Sequence, residues 1–489
     1  MADNELVFKN AHELAALIRS RQVSPVEVVQ AFLDRIDALN PKVNAFITVT
    51  RDQALQAARQ AETEIRAGKY RGPLHGIPYA PKDILATRGI RTTNGSKVTA
   101  DWVPDYESTI TSRLDRAGAI LIGKLNLLEF AMGSGVLSGF GPVRNPWDLA
   151  YSPSGSSSGS GAALAAYMVP LSVGTDTGGS IRGPAAFCGI VGLKQTYGRV
   201  SRYGVTTLSW SLDHAGPMTK SVTDAAEMLR VMAGPDPLDP TARPEPVPDY
   251  TKALTGEVRG LKIGIPTNYF FDDAQPEVDK AVRAAIRRLG DMGAELVEVE
   301  VPHADLAASA GWIIAMGDGA CFHEKRLREQ AALFDPLVRE RLEAASFYTA
   351  TDYIKAMRVR TILMRDMEEV FKKCDVMAVP GSGSVASKLP SPEMAKTDVH
   401  PGGVPYRGGN TFIGNMTGLP AMVIPCGFTS GPPVLPITIM FYGRPFDEST
   451  IFRVGHAYES VTDWAKRRPP VTYGPGDRAP GADRPGHWI

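Results

Sequence analysis

Apolar residues recur along this chain in two rhythms, a period near 3.6 residues and short unbroken runs, and the two alternate. The N-terminal part follows the helical rhythm. Ser24, Pro25 and Glu27 supply an N-cap, a first-turn proline and a capping-box glutamate, and Val28, Val29, Phe32, Ile36 and Leu39 follow at helical spacing. This helix is predicted to end before Pro41, which has no N–H to donate. A second amphipathic helix is predicted over 52–67. Short apolar runs at 79–85 and 120–124 read as strands, with a helix over 109–118 between them that stops at Gly118. The alternation resumes with strands at 261–266, 295–301 and 376–380, a helix over 275–293, and long helices between 319 and 373. Strands alternating with helices predict an α/β fold, a sheet covered by helices. No internal repeat breaks the pattern. The proline-rich stretch 236–249 reads as a connection within one domain, and 466–489, rich in Arg, Pro and Gly, as an arm or disordered tail.

Composition narrows the function classes. Hydrophobic residues make up 43% and charged residues 22% of 489, enough for a large core, and the net charge is zero. A neutral chain carries no whole-molecule electrostatic footprint for nucleic acid or an anionic membrane. Cys188, Cys321, Cys374 and Cys426 are far apart and read as reduced core thiols. The polar start lacks the apolar core of a signal peptide, and the longest apolar run, 162–173, is too short to span a bilayer and contains Pro170. The expectation is a cytoplasmic protein. No His/Asp/Glu group has metal-ligand spacing, so neither metal nor other cofactor is expected.

The chemistry concentrates between Tyr151 and Val200. Two Ser-bearing glycine clusters, SPSGSSSGSG and GTDTGGSIR, flank an apolar segment. Glycine costs backbone entropy and is kept where the chain turns sharply or approaches a ligand closely. The arrangement points to a reactive serine with backbone N–H groups facing a substrate. A serine needs a neighbouring base. Gly155 to Gly159 match the G-x-S-x-G elbow that works with a histidine, and His456 could serve. However, that elbow must follow a buried strand, and here it follows loop chemistry from Asn145 to Pro153. Lys82 is the other candidate base, since a lysine drawn into a dry pocket loses its proton near neutral pH. On local context alone a lone lysine reads as a solvated surface residue.

Lys82, the GSSSGSGAA cluster and the block GTDTGGSIRGPAAFCGIVGLKQTYGRVS together resemble the amidase signature family, and the resemblance runs on through Gly418-Leu419-Pro420 to Gly443-Arg444-Pro445. It implies one large domain over 1–465, with its catalytic region in 75–220 and a tail over 466–489, built on a central mixed, twisted sheet with helices on both faces. It also implies a Ser-cisSer-Lys triad: Ser180 as nucleophile, Ser156 as the bridging serine on a cis peptide, and Lys82 as base. The N–H groups of Thr177, Gly178, Gly179 and Ser180 would form the oxyanion hole. Met132, Gly133 and Ser134 are similar to the family's substrate-facing loop, and Ser157, Thr175, Asp176 and Arg182 are the supporting residues. Asp176 and Arg182 read as a structural ion pair, and Cys188 as core.

Two departures from the family pattern stand out. Ser154 and Ser158 replace glycines of the usual Gly-Gly-Ser-Ser-Gly-Gly cluster, and Gln195 stands where the family commonly has proline. The family includes free-standing hydrolases of amides and carbamates, and the glutaminase subunit of the tRNA-dependent amidotransferase. In the latter, an acidic residue ahead of the Gly-Leu-Pro segment holds the glutamine amino group, and counting back from Gly418 places Gly408 there. The resulting expectation is a stand-alone amidase. It would act on a small-molecule amide, carbamate or ester, with no nucleic acid or membrane partner, as a homodimer of the kind frequent among similar proteins. The glutaminase subunit is the alternative, and a catalytically silent homologue using its tail as a binding arm is another. The pocket walls are expected from Met132, the loop 203–212, the helix around 312–322, and loops near Gly381 and Tyr406.

Overall fold

The computed structural model describes residues 3–132, 138–390 and 409–472. Among the described residues, twelve strands form two sheets. They are β1 (Phe46–Val49), β2 (Pro78–Pro81), β3 (Ile120–Leu121), β4 (Gly123–Leu125), β5 (Leu171–Asp176), β6 (Val191–Lys194), β7 (His214–Thr219), β8 (Lys262–Pro266), β9 (Glu295–Val299), β10 (Val376–Pro380), β11 (Ala421–Phe428) and β12 (Pro436–Gly443). Ten of them make one mixed sheet in the order β3-β2-β5-β7-β6-β11-β12-β10-β8-β9, while β1 and β4 pair separately. The two flanks, β3-β2-β5 and β10-β8-β9, are parallel, and the pairings between β5 and β10 are antiparallel. The parallel flanks are reached through helices, such as Thr109–Arg116 between β2 and β3 and Pro276–Asp291 between β8 and β9. Helical crossovers of this kind are how parallel neighbours are connected. This is the expected mixed α/β fold, a single domain with a large sheet flanked by helices.

The central strands β5, β6, β7, β10 and β12 are buried throughout. A strand covered on both faces shows no apolar/polar alternation, which is why β10 reads as an unbroken run, while β5, β6, β7 and β12 lie outside the strands predicted from the sequence.

Local rules account for most elements. Helix Pro25–Val43 starts as predicted, with the Ser24 Oγ accepting from the Glu27 N–H at 3.1 Å and Glu27 accepting from the Ser24 N–H at 2.8 Å. It does not stop before Pro41. It runs to Val43 and closes on Asn44 in the left-handed region, at φ +57°. Proline in the last turn removes one backbone bond, a loss that the apolar stripe ending in Leu39 and Val43 offsets. The predicted strand 120–124 divides at Ile122 between two sheets, β3 pairing with β2 and β4 with β1. The connection 236–249 belongs to the core domain, where the Asp236 carboxylate accepts from Thr109 and Ser201 hydroxyls, each at 2.5 Å.

Two expectations need correction. Cys321 is exposed, unlike the other three cysteines. The start of the expected tail is also packed against the body: the Arg467 guanidinium lies 4.7 Å over the Phe428 ring, Arg468 lies 3.7 Å over Phe8, and Thr472 is buried. Arginine's flat cation covers aromatic faces well, so composition alone misjudges such a segment. Residues 473–489 lie outside the described residues.

Candidate active site

Register brings the distant serines and the lysine together. β2 and β5 are parallel neighbours, with Pro81 opposite Val173. Both chains leave the sheet at the same carboxyl edge, where open α/β sheets gather their ligands. Lys82 follows β2 directly and donates its N–H to the Val173 carbonyl at 2.9 Å. Its side chain, fully buried, reaches the Ser156 Oγ and the Thr175 Oγ1, each at 2.7 Å. Burial pushes its pKa down to about 7, against the opposing charges of Asp176 and Asp213. The surface reading of this lysine is thereby excluded.

Ser156 is buried, and the Gly155–Ser156 peptide is cis. A Cβ on Gly155 would meet Leu128 Cδ1 at 2.3 Å, so only glycine fits. Ser154, at a position where the family has glycine, takes φ +64°. Ser157 clamps the end of β5, its hydroxyl donating to the Thr175 carbonyl at 3.1 Å and accepting from the Thr175 N–H at 3.2 Å. Ser180 is partly exposed, and its carbonyl accepts from the Ser157 N–H at 3.2 Å. No hydrogen bond among the described residues joins the Ser156 and Ser180 hydroxyls. The lysine-to-serine link is made, and the serine-to-serine link is open.

The loop carrying Ser180 is wrapped around Asp176. That carboxylate accepts from the N–H groups of Gly179 at 2.9 Å, Ile181 at 3.1 Å and Arg182 at 3.3 Å, and from the Arg182 guanidinium at 2.9 and 3.0 Å. Burial would raise its pKa, but the Arg182 charge and these bonds hold it well below the carboxylate range. Arg182 continues to Asn415 Oδ1 at 2.6 Å and the Tyr442 hydroxyl at 3.2 Å. In the structure the pair ties the loop to Asn415 and Tyr442. One expected oxyanion donor is already engaged, since the Gly179 N–H goes to Asp176. The N–H groups of Thr177, Gly178 and Ser180 have no acceptor among the described residues. Gly179, at φ +133°, also packs where a Cβ would lie 2.6 Å from Thr411 Oγ1.

A cavity of about 420 Å³ reaches Thr175 at the end of β5 but is lined by none of Lys82, Ser156 or Thr177 to Arg182. Its other lining is Ala131, Asp213 and His214, Arg202, Tyr203, Val205 to Leu208 and Trp210, and Leu238 to Thr241. The expected loop 203–212 does form a wall. Met132 itself is buried, and Ala131 faces the cavity in its place. Gly133, Ser134, Tyr406 and Gly408 lie outside the described residues. The helix around Trp312 to Phe322 does not line this cavity; it touches the wall at the half-exposed Trp210, which Phe322 meets edge to face at 5.9 Å. His214 is no hidden base: its Nδ1 lies 2.7 Å from the Leu212 carbonyl and its Nε2 3.1 Å from Lys194 Nζ. His456 sits in helix Glu448–Ser460, and the serine run Ser156 to Ser158 enters a helix from a loop, so the strand-turn-helix elbow is not formed here. Asp213, Thr411 and Asn415 escape sequence reading. The partners that tie them to the nucleophile loop, Thr177 for Asp213, Gly178 for Thr411 and Asp176 and Arg182 for Asn415, lie far away in the chain, and no spacing marks them.

A family model described as Amidase matches residues 27–452. The chain belongs to the amidase signature family. Members of this family cleave carbon–nitrogen bonds. A protein of Moorella thermoacetica, named as one of the subunits of glutamyl-tRNA(Gln) amidotransferase, is 42% identical, over 95% of this chain and 99% of its own. Further relatives at 42–44% identity carry the same name. Among solved structures, a chain from a vestigial protein complex linked to the origins of an s-triazine catabolic enzyme superposes with a TM-score of 0.87 at 32% identity, covering 92% of this chain and 98% of that one. A bacterial aryl acylamidase superposes at 0.85 and 26% identity, covering 94% and 97%. The relatives' name corrects the expectation about partners. These relatives are named as one subunit of an enzyme named for glutamyl-tRNA(Gln), which is at odds with a partner set limited to small molecules and free of nucleic acid.

Proposed function

We propose that this amidase signature enzyme cleaves a carboxamide through Ser180, Ser156 and Lys82, and that it does so as the glutaminase-type subunit of an amidotransferase. The observation that carries the chemistry is the 2.7 Å bond from a buried Lys82 to Ser156. With a pKa of about 7, Lys82 is substantially neutral at physiological pH and can accept a proton. Lys82 takes the Ser156 proton as Ser156 takes that of Ser180, once the Ser180 hydroxyl turns toward it. Catalytic hydrogen bonds are often loose before substrate binds. The Ser180 oxygen attacks the carbonyl carbon, and the resulting oxyanion faces the N–H groups of Thr177, Gly178 and Ser180. As the C–N bond breaks, the proton returns through Ser156 to the leaving nitrogen, and ammonia departs. Water then attacks the acyl-enzyme by the same relay, releasing the acid and restoring Ser180.

The relatives' full-length likeness supports this multi-component reading, and their name supplies glutamyl-tRNA(Gln) as the nitrogen acceptor. A second reading is a hydrolase of apolar amides that needs no acceptor. It is favoured by the count along the sequence that sets uncharged Gly408 against the acidic residue of the glutaminase subunit, and by the exposed Trp210 and Leu238 at the cavity wall. Ammonia release from glutamine, measured with and without partner subunits and beside a panel of anilides, primary amides, carbamates and esters, separates the two. Glutamine turnover that rises with partners and vanishes in Ser180→Ala is expected. Rapid anilide cleavage with inert glutamine would establish the second reading instead.

A further inference from the structure

Asp213 stands between two walls of the site. It is buried at the start of β7 and lines the cavity. One carboxylate oxygen accepts from the Thr177 hydroxyl at 2.6 Å, and the other from the N–H groups of Leu208 at 2.9 Å and Ser209 at 3.0 Å. Thr177 opens the nucleophile loop and offers one of the three unengaged N–H groups. Leu208 and Ser209 belong to the opposite wall. That wall is itself anchored: the Ser209 hydroxyl donates to Asp318 at 2.6 Å, and the Tyr353 hydroxyl donates to the same carboxylate at 2.9 Å. From the other side, the Thr411 hydroxyl donates to the Gly178 carbonyl at 2.6 Å. The nucleophile loop is thus held at both edges, and of these two holds Asp213 is the one shared with the cavity wall.

We propose that Asp213 is a positioning residue for amide cleavage, acting through the Thr177 hydroxyl to keep the oxyanion-binding N–H groups in register with the wall at Leu208 and Ser209. The proposal rests on Ser180 being the nucleophile. Both oxygens of Asp213 accept from protein donors, and its link to the loop of Ser180 runs through the Thr177 hydroxyl. Its charge nevertheless bears on the base: Asp213 and Asp176 are the carboxylates whose fields favour the protonated form of Lys82. Arg202 is the cation that acts on Asp213.

The test is the second-order rate of Ser180 modification by an alkyl fluorophosphonate on the full chain, followed across pH, because this probe needs no knowledge of the natural substrate. Ser180→Ala must abolish labelling; labelling that survives there overturns the nucleophile reading itself. With that control passed, Thr177→Val should slow labelling about tenfold or more, within the range that small misplacements of reacting groups cost, and Thr177→Ser should restore it. Asp213→Asn keeps the shape and removes the charge, so the acid limb of the profile should move to lower pH as Lys82 stays neutral further down. Wild-type labelling by Thr177→Val overturns the proposal, and so does an unmoved acid limb in folded Asp213→Asn. Should Asp213→Asn not fold, the Thr177 pair decides alone, since it changes only a hydroxyl.

Discussion

Lys82 shows how environment remakes a side chain. Its ordinary pKa is near 10.4, and burial without a direct carboxylate contact brings it to about 7. Activity that depends on the neutral amine should therefore hold above pH 7 and fall about tenfold per unit below it, since the group must lose its proton to work. A pH–rate profile whose acid limb sits at the free-lysine value would contradict this. Lys82→Ala should lose at least about 10³-fold in rate while the chain still folds, because a general base of this kind contributes roughly 10²–10⁴-fold. Normal turnover in that variant would remove the lysine from the chemistry. Lys124 and Lys194 are equally buried, yet they stay structural. Lys124 is paired with Asp83 at 3.1 Å, and Lys194 is spent on the Gln195 carbonyl and His214.

Among the elements, the loop from Ser154 to Ser158 depends on close approach. The three atoms nearest a Cβ placed on Gly155 all belong to Leu128. Gly155→Ala should cost at least about tenfold in labelling by shifting the Ser156 hydroxyl, and Leu128→Ala in the same chain should recover part of it. A double variant no better than the single one would show that space is not the constraint. The helical elements obey simpler rules. Ser24→Ala removes the cap of helix Pro25–Val43 and should lower stability by about 1 kcal/mol in denaturant titration, with activity unchanged.

For the molecule as a whole, the Asp176–Arg182 pair fastens the nucleophile loop after β5 to the C-terminal part of the chain through Asn415 and Tyr442. Both charges are fully buried. Arg182→Leu leaves Asp176 without its cation and should cost about 3–5 kcal/mol in unfolding free energy, far more than a surface ion pair would. A loss below about 1 kcal/mol would mean that water or another group reaches Asp176. The same fastening holds the loop whose Thr177, Gly178 and Ser180 N–H groups have no acceptor among the described residues.

How much of this was legible in advance follows from the range of each interaction. Helix starts, the strand runs and the α/β class depend on neighbours a few residues apart, and the capping box at Ser24 or the run at 376–380 displays them directly. The triad is named from motifs, because a resemblance carries geometry that spacing does not contain; the chain alone leaves Lys82 as a surface residue. What only the folded structure decided are the burial that neutralises Lys82, the local turn that commits the Gly179 N–H to Asp176, and the Asp213 bridge from Thr177 to Leu208 and Ser209. Parallel register of β2 against β5 sets the first of these, and the packing of β7 beside β5 the last. Register is a property of paired strands, and one strand's sequence cannot state where its partner will stop.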